Sequence, residues 1–110
     1  MHRRLFVLFA ALFIATAPAM AEDLKEYKLV IKNHRFEPDT LNVPAGQKFK
    51  LVVENQDSTP EEFESHDLNR EKVVPGNGKI TIFLGPLKPG RYVFVGEFNP
   101  ATALGAVVAK

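Results

Sequence analysis

The chain beyond residue 23 is a series of short extended segments separated by turns rich in proline and glycine, and in several of these segments apolar and polar side chains alternate. Successive side chains on a β-strand point to opposite faces, so this alternation is typical of half-buried strands. Alternation is present in residues 24–32, 49–54 and 79–84, and further extended segments cover residues 41–43, 71–74, 92–98 and 104–110. No long segment has the 3.6-residue period of an amphipathic helix. The sequence therefore predicts an all-β fold, an antiparallel β-sandwich.

The first 21 residues have the form of a secretory signal peptide. Arg3 and Arg4 precede a short apolar run over residues 5–15, and Ala19-Met20-Ala21 forms a small-x-small cleavage site. The apolar run is short for a bilayer span, which argues against the alternative of an uncleaved anchor. We expect cleavage after Ala21, export to the periplasm, and a single mature domain of residues 22–110 that does not itself span a membrane.

The composition of this mature domain excludes several classes of function. It contains 12 basic and 13 acidic side chains, so nothing in its charge favours nucleic-acid binding. It contains no cysteine, which rules out disulfides and thiol chemistry, and its only histidines are His34 and His66. No Ser/His/Asp or Cys/His arrangement indicates a hydrolase, and we expect no catalytic residue of that kind.

An acidic stretch gives the strongest indication of function. Five acids lie within eleven residues that contain no Lys or Arg: Asp57, Glu61, Glu62, Glu64 and Asp67. In an extended chain Glu62, Glu64 and His66 project from one face, and Phe63 projects from the other. Crowded carboxylates resist ionisation unless a cation joins them, and oxygen with imidazole suits iron, copper, manganese or zinc. The alternative is a solvated acidic edge strand that discourages pairing with another chain.

Two further features have structural roles. Leu87-x-Pro89-Gly90-x-Tyr92 is typical of a tyrosine corner, in which the tyrosine hydroxyl hydrogen-bonds to the backbone a few residues upstream. Five aromatic side chains are expected in the core rather than around a cofactor: Phe36, Phe49, Phe63, Phe83 and Phe94.

The order of several motifs along residues 26–110 resembles that of a cupredoxin. The resemblance implies a cupredoxin-like Greek-key β-sandwich formed by one domain. The motifs are Val43-Pro44-Ala45-Gly46, a strand ending in Val53-Glu54-Asn55, Val74-Pro75-Gly76, and Leu87-x-Pro89-Gly90-x-Tyr92-x-Phe94.

The resemblance also shows which ligands of a blue-copper site this chain lacks. The copper-binding Cys of such proteins falls at Gly96, the second His at Asn99, the Met near Leu104, and the first His at or beside Glu62. All four ligands are absent. Because a type-1 blue site requires two His, a Cys and a weak axial ligand, none is expected here.

The chain is more similar to cupredoxins without those ligands, the EfeO-type domains and the small periplasmic cupredoxins of Ftr-type bacterial iron-uptake systems. Their Glu-x-Glu at the site of the missing first His matches Glu62-Phe63-Glu64, and their Gly-Glu-Phe matches residues 96–98. The resemblance implies an iron or copper ion, or both, and partners that include an iron permease and other periplasmic iron-uptake components. Two departures are notable: relatives often have His where this chain has Asn99, and the EfeO pattern includes copper-site cysteines that are missing here.

These observations predict a metal site at Glu62, Glu64 and Glu97, with His66 and His34 as further candidate ligands. Glu97 follows a strand at the pole where cupredoxins bind their metal, and His34 lies in a loop near that pole; each is otherwise a surface residue. We expect a protein that assists ferrous-iron acquisition by aiding iron oxidation before permease transport. Whether it is itself an enzyme stays open. The alternative function is a metal-free β-sandwich that docks on a permease or another periplasmic partner.

Overall fold

The computed structural model describes residues 23–110, so the predicted signal peptide and its cleavage site lie outside the described residues. Within that range the regular structure consists of β-strands and contains no helix. The strands are β1 (Lys25–Lys32), β2 (Arg35–Glu37), β3 (Thr40–Val43), β4 (Phe49–Asn55), β5 (Glu61–Ser65), β6 (Arg70–Val74), β7 (Lys79–Leu84), β8 (Gly90–Gly96) and β9 (Leu104–Ala109). Accordingly, residues 23–110 include no helix with the length and apolar character needed to cross a membrane.

The strands form two sheets that face each other. One sheet has the order β2-β1-β4-β7, and the other has the order β3-β9-β8-β5-β6. This arrangement confirms the predicted single-domain β-sandwich. The pairing is not purely antiparallel, however, because β1 pairs with β4 and β3 pairs with β9 in parallel. Both parallel pairs join strands that are not consecutive, since the chain crosses between the sheets.

The core lies between the two inner faces and contains four of the five predicted phenylalanines. Phe36, from the first sheet, contacts Phe94 of the second sheet edge to face with 4.9 Å between ring centroids, and Phe94 lies 5.0 Å from Phe63. The prediction for Phe83 is wrong, because its side chain is 59% exposed. In β7 the inward positions belong to Ile82 and Leu84, and strand alternation therefore directs Phe83 outward.

Strand β2 was not predicted from the sequence. It forms because Asn33 and His34 both have positive φ, of 54° and 58°, and make a two-residue hairpin loop between β1 and β2. Positive φ at both loop residues matches the twist of the flanking strands. The backbone N–H groups of Asn33 and His34 donate to the Asp57 carboxylate at 2.8 and 2.9 Å, so the turn depends on a residue far away in sequence.

The tyrosine corner is confirmed. The Tyr92 hydroxyl donates to the Lys88 carbonyl at 2.7 Å, four residues upstream. Strand β8 then ends at Gly96, two residues earlier than predicted, where the Gly96 carbonyl accepts a hydrogen bond from the Asn99 N–H at 3.0 Å. Residues 97–103, called here the polar loop, carry the chain from β8 to β9.

Candidate metal centre

Strand β5 presents two glutamates on its outer face. Glu61, Phe63 and Ser65 are buried, whereas Glu62 and Glu64 are half-buried on the opposite side. Phe63 is fully buried in the core and so fixes the register. A slip of one residue would turn both outward carboxylates into the core and would expose Phe63, which is why the alternating sequence predicts this orientation.

The polar loop brings Glu97 to the same place. Gly96 pairs with Phe63 across β8 and β5, and the Glu97 N–H donates to the Glu62 carbonyl at 2.9 Å. One carboxylate oxygen from each of Glu62, Glu64 and Glu97 lies within 4.8 Å of the other two. These three side chains are called the carboxylate cluster. They include three of the five ligands predicted from the sequence.

The electrostatics of the cluster favour an added cation. A hydrogen bond between Glu64 and Glu97, helped by desolvation and by neighbouring acids, raises the pKa of Glu64 to about 7. Partial desolvation, followed by the charges of Glu71 and Glu97, also raises the pKa of Glu62. Among residues 23–110, the ion pairs to Lys or Arg involve other acids, so the cluster has no basic partner there. Protonation or a bound cation would relieve the repulsion among these carboxylates.

Sequence analysis missed the contribution of Glu71. Glu71 lies directly opposite Glu64 in the β5–β6 pair, where like charges repel, and it raises the pKa of both Glu62 and Glu64. The four-residue turn of residues 66–69 sets this register by pairing Ser65 with Arg70. Treating the acidic stretch and the next strand as one hairpin would have found Glu71.

The two histidines lie outside the cluster. His66 follows the end of β5 in a turn, and it lines a cavity of about 560 Å³ together with Glu64 and Arg91. His34 lies in the β1–β2 turn, and its Nδ1 is 3.6 Å from the Asp57 carboxylate. The His34 carbonyl accepts a hydrogen bond from the Thr102 hydroxyl at 2.6 Å, so this turn does contact the polar loop. For both histidines, metal ligation remains a prediction.

The other acids of the stretch are engaged elsewhere. Asp57 accepts the N–H groups of His34 and Asn33, and these hydrogen bonds lower its pKa. Asp67 accepts the N–H of Val93 at 2.9 Å. Glu61 points inward and is 1% exposed. The five acids that are close in sequence therefore separate in space, and only Glu62 and Glu64 contribute to the cluster.

Glu61 occupies the place where the resemblance locates a blue-copper centre. Its carboxylate accepts hydrogen bonds from the N–H groups of Glu62 and Phe98 and from the Asn99 side-chain amide. A Cβ atom at Gly96 would lie only 2.7 Å from the Glu61 carboxylate. The carboxylate and the amide thus fill the space, and the absence of cysteine from the sequence excludes a type-1 copper site.

Two layers of β-strands, with a tyrosine corner at the start of β8 and the polar loop at its end, define a small β-sandwich of the cupredoxin kind. The sequence matches the cupredoxin-like domain family over residues 5–109, and the chain belongs to that family. It is 39% identical over 118 aligned residues to a protein of Rickettsia prowazekii (strain Madrid E) described as uncharacterized. That alignment covers 99% of this chain and 94% of the relative.

Solved structures show the same fold at low sequence identity. Auracyanin A, a "blue" copper protein from Chloroflexus aurantiacus, gives a TM-score of 0.66 at 12% identity, covering 77% of this chain and 98% of that one. A purple cupredoxin from Nitrosopumilus maritimus gives 0.60 at 19% identity, covering 76% and 98%. The metal-binding domain of the Cu(I)-exporting ATPase CopA from Streptococcus pneumoniae D39 gives 0.64 at 10% identity, covering 84% and 91%.

Proposed function

We propose that this protein is an exported cupredoxin-like metal-binding protein that binds iron or copper through Glu62, Glu64 and Glu97. One observation carries the proposal: three carboxylates converge within 4.8 Å on the outer face of the sheet. Within residues 23–110 no Lys or Arg forms an ion pair with them. Three ionised carboxylates this close repel one another, and a cation bound between them would add an attraction that offsets this repulsion.

The donor set favours a hard cation. Carboxylate oxygens suit hard ions, and a more highly charged ion gains more from anionic ligands, so the cluster would hold Fe³⁺ more tightly than Fe²⁺. Copper is the other candidate, supported by the copper named for auracyanin A and for the CopA domain. Without a thiolate, the three carboxylates would bind copper through oxygen.

The proposed cellular role is ferrous-iron acquisition, as the resemblance to EfeO-type and Ftr-associated domains implies. In this role the protein captures Fe²⁺ in the periplasm and passes iron to a permease. Preference for Fe³⁺ would make oxidation of the bound Fe²⁺ by one electron more favourable. A separate acceptor such as dioxygen would take up that electron. A test measures Fe²⁺ loss in air at fixed pH with and without protein. Equal rates would remove oxidation from the proposal while leaving capture intact.

Calorimetric titration tests the metal site. Metal-stripped residues 22–110 are titrated with Cu²⁺, and with Fe²⁺ under anaerobic conditions, for the wild type and for the Glu62→Gln/Glu64→Gln double variant. We expect one site in the wild type that the double variant loses. Glu26→Gln/Glu37→Gln is the matched control, because it removes the same charge from exposed positions outside the cluster. No binding by the wild type, or equal loss in the control, would contradict the proposal.

Export is tested by the N-terminus of the secreted product. The proposal requires that expression of the full chain in a Gram-negative host gives periplasmic protein that begins at Glu22. Mass spectrometry of the periplasmic fraction distinguishes this product from the intact 110-residue chain. Product retained in the cytoplasm at full length would argue against export.

A second candidate function, docking on a permease or periplasmic partner without metal, is favoured by the surface beside the cluster. The cavity that Glu64 and His66 line also has apolar side chains in its wall, and two of them, Val93 and Leu104, are 47% and 54% exposed. Glu62→Asp separates the two functions. It shortens a ligand while conserving charge, so it should weaken metal binding but leave electrostatic docking largely intact.

A further inference from the structure

Among residues 23–110, Glu61 is the one charged residue whose side chain is buried. It is 1% exposed, yet both of its oxygens have hydrogen-bond donors. Oε1 accepts from the Glu62 N–H at 2.9 Å and from the Phe98 N–H at 2.8 Å. Oε2 accepts from the Asn99 side-chain amide at 2.8 Å. A buried carboxylate is tolerated only when donors replace the lost water, and here two of the three donors belong to the polar loop.

The backbone around this group is built to accommodate it. A Cβ atom at Gly96 would lie 2.7 Å from the Glu61 carboxylate and 2.6 Å from the Ala103 side chain. Only glycine fits at this position while Glu61 points inward. Both Gly96 and Asn99 therefore accommodate the Glu61 carboxylate. Gly96 leaves space for it, and the side-chain amide of Asn99 donates a hydrogen bond to it.

We propose that Glu61 is a positioning residue for the carboxylate cluster: its buried carboxylate fastens the polar loop to β5 and thereby holds Glu97 against Glu62 and Glu64. The effect on metal affinity rests on the proposed function, whereas the fastening of the loop does not. Glu61 acts through its hydrogen bonds with Phe98 and Asn99, and it is not itself a metal ligand in this proposal.

The path from Glu61 to Glu97 is short. Glu97 is joined to β5 on its N-terminal side by its own N–H, which donates to the Glu62 carbonyl at 2.9 Å. The next two residues, Phe98 and Asn99, are joined to β5 through Glu61. Without Glu61, the hydrogen bond to Glu62 would be the only one of these three left to hold Glu97. Its exposed side chain would then sample positions away from the other two glutamates.

The test exchanges the partners of one hydrogen bond. Glu61→Leu replaces the carboxylate with an apolar side chain of similar size, so the Phe98 N–H and the Asn99 amide both lose their acceptor. Asn99→Ala removes only the hydrogen bond between the Asn99 amide and Glu61, and it leaves the buried carboxylate in place. Combining Glu61→Gln with Asn99→Asp reverses the direction of the hydrogen bond and restores the net charge. All variants are prepared as residues 22–110, with thermal stability recorded for each.

Two readouts are needed. In metal-free protein we expect faster amide hydrogen exchange at Phe98 and Asn99 in both single variants and a return toward wild-type rates in the exchanged pair. With Cu²⁺ as the probe, we expect the dissociation constant to rise about 10- to 100-fold in the single variants, as when a group supporting a ligand is removed. The electron paramagnetic resonance signal of bound Cu²⁺ should change with it, and the exchanged pair should recover both properties.

The outcomes separate this inference from the proposed function. If the wild type binds no Cu²⁺ or Fe²⁺, the proposed function fails, and amide exchange alone decides whether Glu61 fastens the loop. Unchanged exchange at Phe98 in both single variants overturns the inference. So does a lower thermal stability with unaltered Cu²⁺ affinity and spectrum, because Glu61 would then support the fold without positioning Glu97. Failure of the exchanged pair to recover also counts against it.

Discussion

Adjacent glutamates on one strand have different environments in this protein. Glu61 faces the core, where donors surround its carboxylate, and Glu62 and Glu64 face outward, where they meet other acids. The difference arises from strand geometry, since successive side chains point to opposite faces. Local composition alone would treat all three as one acidic patch. Side-chain direction shows that only the outward pair is available to a cation.

The raised pKa of Glu64 predicts an unusual pH dependence of stability. Its pKa is about 7 in the folded protein, above the ordinary value of 4.5 that the unfolded chain has. The folded state therefore holds the proton more tightly, and this contribution to stability is complete below pH 4.5 and is lost as pH rises to about 7. For metal-free protein, the free energy of unfolding of Glu64→Gln relative to wild type should increase across this range and then level off. Urea unfolding followed by circular dichroism measures it.

Glu54 supplies a control of opposite sign. A hydrogen bond from Lys28 lowers the pKa of Glu54, so its contribution is present above pH 4.5 and is lost as pH falls through its folded pKa. Glu54→Gln should therefore lose stability relative to wild type at neutral pH and approach it in acid. A Glu64→Gln profile parallel to that of wild type would show that Glu64 and Glu97 do not share a proton.

Gly96→Ala should destabilise the protein although it adds only a methyl group. The new carbon would lie 2.6 Å from the Ala103 side chain and 2.7 Å from the Glu61 carboxylate, both in a closely packed region. Overpacking of this kind costs about 1–3 kcal/mol in the free energy of unfolding. Adding Ala103→Gly removes one of the two contacts and should recover part of the loss. A free energy of unfolding equal to that of wild type would mean that Ala103 and Glu61 can move to make space for the added methyl group.

Among the elements, strands were predicted well and their connections less well. Alternation identified β1, β4 and β7 because each presents a continuous apolar row to the core. Strand β2 was missed because its turn is formed by Asn33 and His34, without a glycine. The turn also depends on Asp57, whose carboxylate accepts the hydrogen bonds from their N–H groups. A turn stabilised by a residue distant in sequence leaves no local signal.

The candidate site divides in the same way. Glu62 and Glu64 follow from the alternation of β5, whereas Glu97 required the resemblance, because only the fold shows that the polar loop meets β5. The position of Glu71 depends on a hairpin register that is set by a turn. Neither His34 nor His66 joins the cluster within the described residues, since each lies in a turn whose direction the strand period does not determine.

The β1–β2 hairpin should depend on the carboxylate of Asp57. Asp57→Ala removes the acceptor of the Asn33 and His34 N–H groups. Because both residues are exposed and water can replace the carboxylate, we expect a loss of about 0.5–1.5 kcal/mol in the free energy of unfolding. Urea unfolding at pH 7 measures the effect. Asp39→Ala, at an exposed acid, is the control and should cost much less. Because the hydrogen bonds lower the pKa of Asp57, the difference should shrink as pH falls below 3.8. Equal effects of the two substitutions would contradict this role.

For the whole molecule, the sandwich determines where the carboxylates meet. Phe63 and Gly96 pair across the middle of the five-stranded sheet, so Glu64 on β5 and Glu97 beyond β8 approach from segments far apart in sequence. Phe63 packs against Phe94 and Phe36 behind this pair, which couples the outer face to the core. The cluster therefore exists only in the folded chain, and a metal bound there should stabilise the entire domain.

Metal should accordingly raise the unfolding temperature in a pH-dependent way. A ligand that binds only the folded state adds about 2.7 kcal/mol when its free concentration is 100 times its dissociation constant. Below the pKa of about 7 for Glu64, the metal must displace a proton, so Cu²⁺ affinity should fall by about tenfold per pH unit. At fixed Cu²⁺ concentration the shift in unfolding temperature should thus be larger at pH 7.5 than at pH 5.5. It should vanish in Glu62→Gln/Glu64→Gln and persist in Glu26→Gln/Glu37→Gln. A shift of equal size at both pH values would show that Cu²⁺ does not compete with the proton on Glu64, and would contradict binding at the cluster.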